Sequence, residues 1–201
     1  METMSKGSLI QTFTDKASLV SAHVYPMNTL NSAFEKAVEI CRDKAPLDSQ
    51  MQSDTPIDPD TRIVAAPNLD DDGFNLLAEK CSQGKGIKLI REGLRNYPGG
   101  IDVGVTLMDY GIAETGTLVL DSKSEETRLS SMLSEIHVAI LFTSQVRETA
   151  FDMTEELNGL VSDTGSYTAF ITGASRTADI ERVLALGVHG PLELHIMLVE
   201  E

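Results

Sequence analysis

Ile171-Thr172-Gly173-Ala174-Ser175-Arg176-Thr177-Ala178-Asp179-Ile180-Glu181 is the stretch that decides the fold class. Upstream of it, Tyr167 to Ile171 alternates aromatic and β-branched residues with small ones, the pattern of a strand. Gly173 frees the chain to turn sharply. Ser175 or Thr177 can then cap a helix by accepting a backbone N–H, and Asp179 and Glu181 place negative charge in its first turns. Ile180, Val183 and Leu184 fall on one helical face. Gly187 ends that helix, and Val188-His189-Gly190-Pro191 leads into the apolar run Leu194 to Val199. The spacing predicts strand, tight turn, short helix, loop and strand.

Working outward, the alternation continues. Arg62–Ala66, Ile87–Ile90, Asp102–Thr106, Leu118–Leu120 and the mostly apolar Ile136–Phe142 read as strands. Helices are expected over Asn28–Asp43, Asp71–Gln83, about Ser124–Leu133 and Arg147–Leu160. Ser122 with Glu125 has the capping-box spacing for the third of these. The segment Leu19–Pro26 fits a helix end or a short strand. Strands interleaved with helices imply an α/β fold, a mostly parallel sheet flanked by helices. Residues 1–17 carry no clear period and are expected as a loose N-terminal arm, with a single domain over 18–201. Residues 45–60, rich in Ser, Asp and Pro, are the best candidate linker.

With 201 residues, 41% of them hydrophobic, the chain can bury a sizeable core. Its net charge of −15 lacks the basic footprint of a nucleic-acid binder. Any anion it binds must therefore meet locally concentrated positive charge, which makes a placed Arg or His informative. No run of about 18 apolar residues predicts a membrane span, and Met1–Phe13 lacks a signal-peptide pattern, so the expected location is the cytoplasm. The two cysteines, Cys41 and Cys81, lack the spacing of iron–sulfur or zinc sites and read as reduced core thiols. If the protein serves a redox pathway, the electrons are expected to pass through another subunit.

The candidate site begins at Thr172, Gly173, Ser175, Arg176 and Thr177. Free N–H groups at a helix start, two hydroxyls and a guanidinium suit a carboxylate or phosphate. His189 and Gly190 lie in the following loop and can face the same crevice, since open α/β sheets bind ligands beyond their strand ends. A plainer reading serves equally well. Ser175 and Thr177 only cap, Arg176 pairs with Asp179 or Glu181, and His189 shapes a loop.

The second candidate stretch runs from Asp102 through Ile112-Ala113-Glu114-Thr115-Gly116-Thr117. Glu114 sits among small and hydroxyl-bearing residues that can hold its carboxylate, as nucleophile, base or ligand-orienting acceptor. Thr115, Gly116 and Thr117 can contribute to binding. The alternative is a carboxylate that stitches two loops together. Asp102, Asp109 and Tyr110 read as turn and packing residues, and His137 and His195 as core histidines. The four histidines give no metal site by spacing, and no cofactor is assigned. The Walker, GxGxxG and GxSxG patterns are absent.

Taken together, Asp102–Thr106, Ile112–Thr117, Thr172–Glu181 and Gly187–Pro191 resemble the signature blocks of the lactate-utilisation (LUD) domain family, and within it the protein C branch. Arg128 and the segment from Leu133 to His137 fit the stretch between the blocks, and the resemblance runs from about Arg62 onward. Ala174 stands where the family pattern has proline, leaving that loop less rigid. The resemblance implies a fold similar to the sugar-isomerase and CoA-transferase group (NagB/RpiA/CoA transferase-like). It also implies a role in bacterial oxidation of L-lactate to pyruvate, beside an iron–sulfur protein and a cysteine-rich protein.

Three readings follow. One is a non-redox subunit whose pocket, built by Glu114, Arg176 and His189, binds a small anionic ligand. Another is a stand-alone acyl- or CoA-transferase-like or isomerase-like enzyme using Glu114. The third is a scaffold with a vestigial pocket.

Overall fold

A computed structural model describes residues 5–47, 60–83, 86–97, 100–162, 165, 167–180, 183–186 and 190–200. In chain order its helices are α1 (Lys6–Leu19), α2 (Leu30–Asp43), α3 (Asp71–Ser82), α4 (Glu125–Leu133) and α5 (Thr154–Ser162). The first strands are β1 (Ala22–Met27), β2 (Arg62–Ala65), β3 (Ile87–Ile90), β4 (Ile101–Leu107), β5 (Tyr110–Ile112) and β6 (Thr117–Ser122). They are followed by β7 (Ser134–Phe142), β8 (Val146–Arg147), β9 (Tyr167–Ile171), β10 (Arg176–Ile180), β11 (Val183–Leu186) and β12 (Glu193–Val199).

Six strands form a parallel sheet in the order β1-β12-β7-β4-β2-β3. The central strands are apolar on both faces, as a sheet covered on both sides requires. In β7, Ile136, Val138 and Ile140 face one layer, while Ala139 and Leu141 face the other. Helices α2 and α3 cover the first face, packing Phe34, Val38, Cys41, Leu77 and Cys81 over β4 and β7. The second face meets α1 and a smaller sheet of order β8-β5-β6-β9, through Phe13, Ala17, Leu118 and Leu120. Caps fix the helix starts. Thr29 and Ser32 form a reciprocal box at α2, Asp70 accepts from Gly73 N–H at α3, and Ser124 accepts from Thr127 N–H at α4.

The expected α/β class, with its mostly parallel sheet flanked by helices, is the one observed. Three local expectations are corrected. Where residues 1–17 were expected as a loose arm, Lys6–Leu19 is helical, and Phe13 and Ala17 are fully buried. Its apolar residues are sparse, but tertiary burial holds them in place. Where a helix was expected after Ser175, β10 and β11 form an antiparallel pair whose register shifts between Thr177 and Ile180. Thr177, Ile180 and Val183 are β-branched and fit a strand better than a helix. Where a single helix was expected over Arg147–Leu160, a short strand and a 3-10 turn precede α5. The candidate linker 45–60 lies almost wholly outside the described residues. Among the described residues no helix is long and apolar enough to cross a membrane.

Candidate functional site

Two glycine-bearing loops meet against the C-terminal end of α1. Gly116 has φ +65, and a Cβ added there would lie 2.2 Å from the Ala17 nitrogen. Gly173 has φ +74, and its Cβ would lie 2.2 Å from the Val20 carbonyl oxygen. At both positions the turn and the close approach demand glycine. A run of hydroxyls joins the loops. Thr115 Oγ1 lies 2.7 Å from Thr117 Oγ1, which lies 2.8 Å from Thr172 Oγ1. Glu114 is exposed in the same loop, and its N–H donates to the Glu148 carbonyl at 3.0 Å.

Beyond Gly173 the chain turns toward a different neighbour. The Ser175 N–H donates to the Pro191 carbonyl at 2.8 Å, which ties the two late stretches together. Gly173, Ser175 and Gly190 border a cavity of about 270 Å³. Arg128, Ser131 and His137 supply polar groups to the same wall. Arg128 Nη1 donates to the Ser122 carbonyl at 3.1 Å, and Ser131 Oγ donates to the Arg128 carbonyl at 2.9 Å. His137 Nε2 lies 2.6 Å from Thr106 Oγ1. Burial pushes the His137 imidazole down to about 4, so it is neutral at pH 7. The rest of the wall is mostly apolar, and Met132, Tyr167 and Phe170 stand exposed at its edge.

The niche expected between the two loops is thus divided. Thr115, Gly116, Thr117, Thr172 and Gly173 come together, and Gly173, Ser175 and Gly190 share the cavity. Glu114, Thr115, Gly116, Thr117 and Thr172 are not part of that cavity's described wall. Arg176 and Thr177 lie in β10, paired with Leu186 and Ala185. Their side chains, and His189 as a whole, fall outside the described residues.

A second space of about 680 Å³ opens beyond the C-terminal ends of β2, β4 and β7, where open α/β sheets commonly bind ligands. Asn68 braces its floor, donating to the Leu107 carbonyl at 2.8 Å and accepting from the Leu107 N–H at 3.0 Å. Asp109 and Asp121 line it with Lys123. Burial, with the neighbouring charge of Asp121, holds the Asp109 carboxyl above its usual range, although the Asp121 N–H donates to it at 2.6 Å. This wall is acidic on balance and opposes an anion. The cavity beside Arg128 is the better host for one.

A model of the LUD domain matches residues 10–199. The chain belongs to the LUD domain family. Among LUD relatives, the chain is 38% identical over 104 residues to lactate utilization protein C of Halalkalibacterium halodurans, covering 50% of this chain and 45% of that protein. It is 37% identical over 106 residues to lactate utilization protein C of Geobacillus kaustophilus, covering 50% and 43%. The matches thus span less than half the length of these curated relatives. A crystal structure of a DUF162 family protein from Deinococcus radiodurans superposes with a TM-score of 0.66 at 19% identity, over 98% of this chain and 99% of that one. That likeness carries the fold alone.

Within this LUD chain, some site features were hidden from spacing arguments. His137 is a buried, hydrogen-bonded histidine in an apolar strand, as expected, yet it also borders the cavity. Arg128 reaches the same wall from α4, and nothing in its own neighbourhood marks it as special. His23 and His195 are register partners across β1 and β12, a pairing between distant strands that no local pattern reveals. The thiols behave as expected of core residues. Burial raises Cys41 to about 12 and Cys81 to about 11, so neither is a ready nucleophile.

Proposed function

We propose that this LUD chain is a component of bacterial L-lactate utilisation that binds a small anionic ligand and is not itself the redox centre. The observation that carries the reading is the shared cavity wall, where Gly173, Ser175 and Gly190 meet Arg128. In a molecule of charge −15, that guanidinium is the group an anion needs. A guanidinium has five N–H donors, and the Ser122 carbonyl takes one. Ser131 and His137 add polar groups to the wall, and its apolar remainder lowers the local dielectric and so strengthens the pull of the guanidinium. The naming of the relatives as lactate utilization protein C supports the pathway. The ligand fitting this wall carries one carboxylate or phosphate on a compact apolar body. Thr172, Arg176, Thr177 and His189 remain proposed neighbours of that ligand. The expected partners are an iron–sulfur protein and a cysteine-rich protein of the same system.

The test has two arms. Binding of L-lactate, pyruvate and short-chain acyl phosphates to the purified chain is measured by calorimetry, with Arg128→Ala as the comparison. Growth on L-lactate is measured in a deletion strain complemented with either form. Loss of both ligand binding and growth in Arg128→Ala, with the fold intact, supports the reading. Normal lactate growth in the deletion strain overturns it.

A further inference from the structure

The edge strand of the main sheet carries a second cluster, remote in chemistry from the anion cavity. Parallel pairing sets His23 of β1 beside His195 of β12. Glu193 lies two residues before His195 and so projects from the same face of the strand. His23, Glu193 and His195 each present a donor atom, and those atoms lie within 4.8 Å of one another. Glu193 Oε2 is 2.8 Å from His195 Nε2, and the two imidazole rings stack with centroids 4.8 Å apart. On the other side of His195, Nδ1 lies 3.2 Å from the Tyr25 hydroxyl.

We propose that His23, Glu193 and His195 form a binding site for a divalent transition-metal ion of the zinc class. Two imidazoles and a carboxylate are a borderline donor set that zinc accepts, leaving one position for water. A tetrahedral ion with bonds near 2.0–2.1 Å needs its donors roughly 3.4 Å apart. His23 and Glu193 are exposed and can close that difference by about an ångström of side-chain movement, while His195 is buried and anchors the site. An ion on His195 Nε2 leaves Nδ1 to donate to the Tyr25 hydroxyl. That is the outer hydrogen bond which orients a ligating imidazole. A groove beside Ser21, His23 and Tyr25 gives water and ion access. The ion would clip β1, which among the described residues has a neighbour on only one side, to β12.

The experiment uses the full chain, stripped with a chelator and dialysed against Zn²⁺, with retained metal counted by elemental analysis and affinity measured by calorimetry. Co²⁺ substitution reports coordination geometry through its visible absorption. The expected result is one tightly held ion per chain and a raised melting temperature. Binding should be lost in His23→Ala and Glu193→Ala, and weakened about 10-fold in Tyr25→Phe. The distant surface variant Glu79→Gln should bind as the parent does. Both His23 and Glu193 are exposed, so circular dichroism should show the variants folded. No stoichiometric zinc in the parent, or undiminished binding in folded His23→Ala, overturns the proposal.

Discussion

Thr117 and Thr172 share a hydrogen bond of 2.8 Å between their hydroxyl oxygens, although 55 residues separate them in the chain. The bond joins β6 to the end of β9, beside two glycines that let both loops press on α1. The first helix, the smaller sheet and the cavity edge are therefore one packed unit.

Adding a methyl group at either glycine should break that unit. Gly116→Ala and Gly173→Ala each force a side chain into a positive φ and against α1 backbone. Backbone strain alone costs about 1–3 kcal/mol, and the steric contact adds to it. Urea denaturation should show both variants less stable than the parent, whereas Gly159→Ala, in a helix with open space around it, should show no loss.

The buried face of α1 leads to a second expectation. Phe13 is fully buried against the smaller sheet and the main sheet. Phe13→Ala should cost about 3–5 kcal/mol, the range for emptying an aromatic core site. Chemical denaturation measures it, and a cost below about 1 kcal/mol would mean that α1 does not pack as described.

Buried His137 makes stability depend on pH. Its folded-state value of about 4 lies below the ordinary 6.5. Between those values the unfolded chain binds a proton that the folded chain refuses. Its contribution is complete above about pH 6.5, falls as pH drops, and levels off below about pH 4. The full difference is about 3 kcal/mol. Urea denaturation of the parent should weaken more steeply from pH 7 to pH 4.5 than that of His137→Gln, which keeps a polar partner for Thr106.

Asp102 should prove structural. Its carboxylate is wholly buried, accepts from Lys44 Nζ at 2.9 Å and from the N–H groups of Leu47 and Ile63 at 2.9 and 2.7 Å. Asp102→Ala leaves the Leu47 and Ile63 N–H groups without their acceptor, at about 1–3 kcal/mol each, while the Lys44 ammonium keeps Glu135 and the Ala45 carbonyl. Ligand binding at the Arg128 cavity should survive at temperatures where the variant stays folded, as calorimetry would show.

The parallel sheet was legible because β7 and β12 are apolar on both faces, and α2 and α3 because Phe34, Val38 and Cys41, and Leu77 and Cys81, recur on one helical face. Helix α1 was not legible. Leu9, Ile10, Phe13 and Ala17 do fall at helical spacing, but they are few among polar residues, and the helix depends on what it packs against. The β10–β11 pair was misread because Ile180, Val183 and Leu184 satisfy a helical spacing that short strands also tolerate. At the site, the glycine-bearing blocks were legible as loops that approach each other. Glu114 belongs to that approach but stands outside the cavity wall. Arg128 was marked only by the family resemblance, since its place in α4 gives no sign of the cavity, and the His23–His195 pair was hidden because strand register leaves no local signature.

Among the described residues strand β1 pairs with β12 alone, and Tyr25 stands 170 positions before its neighbour His195. During synthesis β1 must therefore wait for its partner until β12 has been made. The half-built sheet offers β7 an open flank during that wait, the kind of unpaired edge on which folding intermediates aggregate.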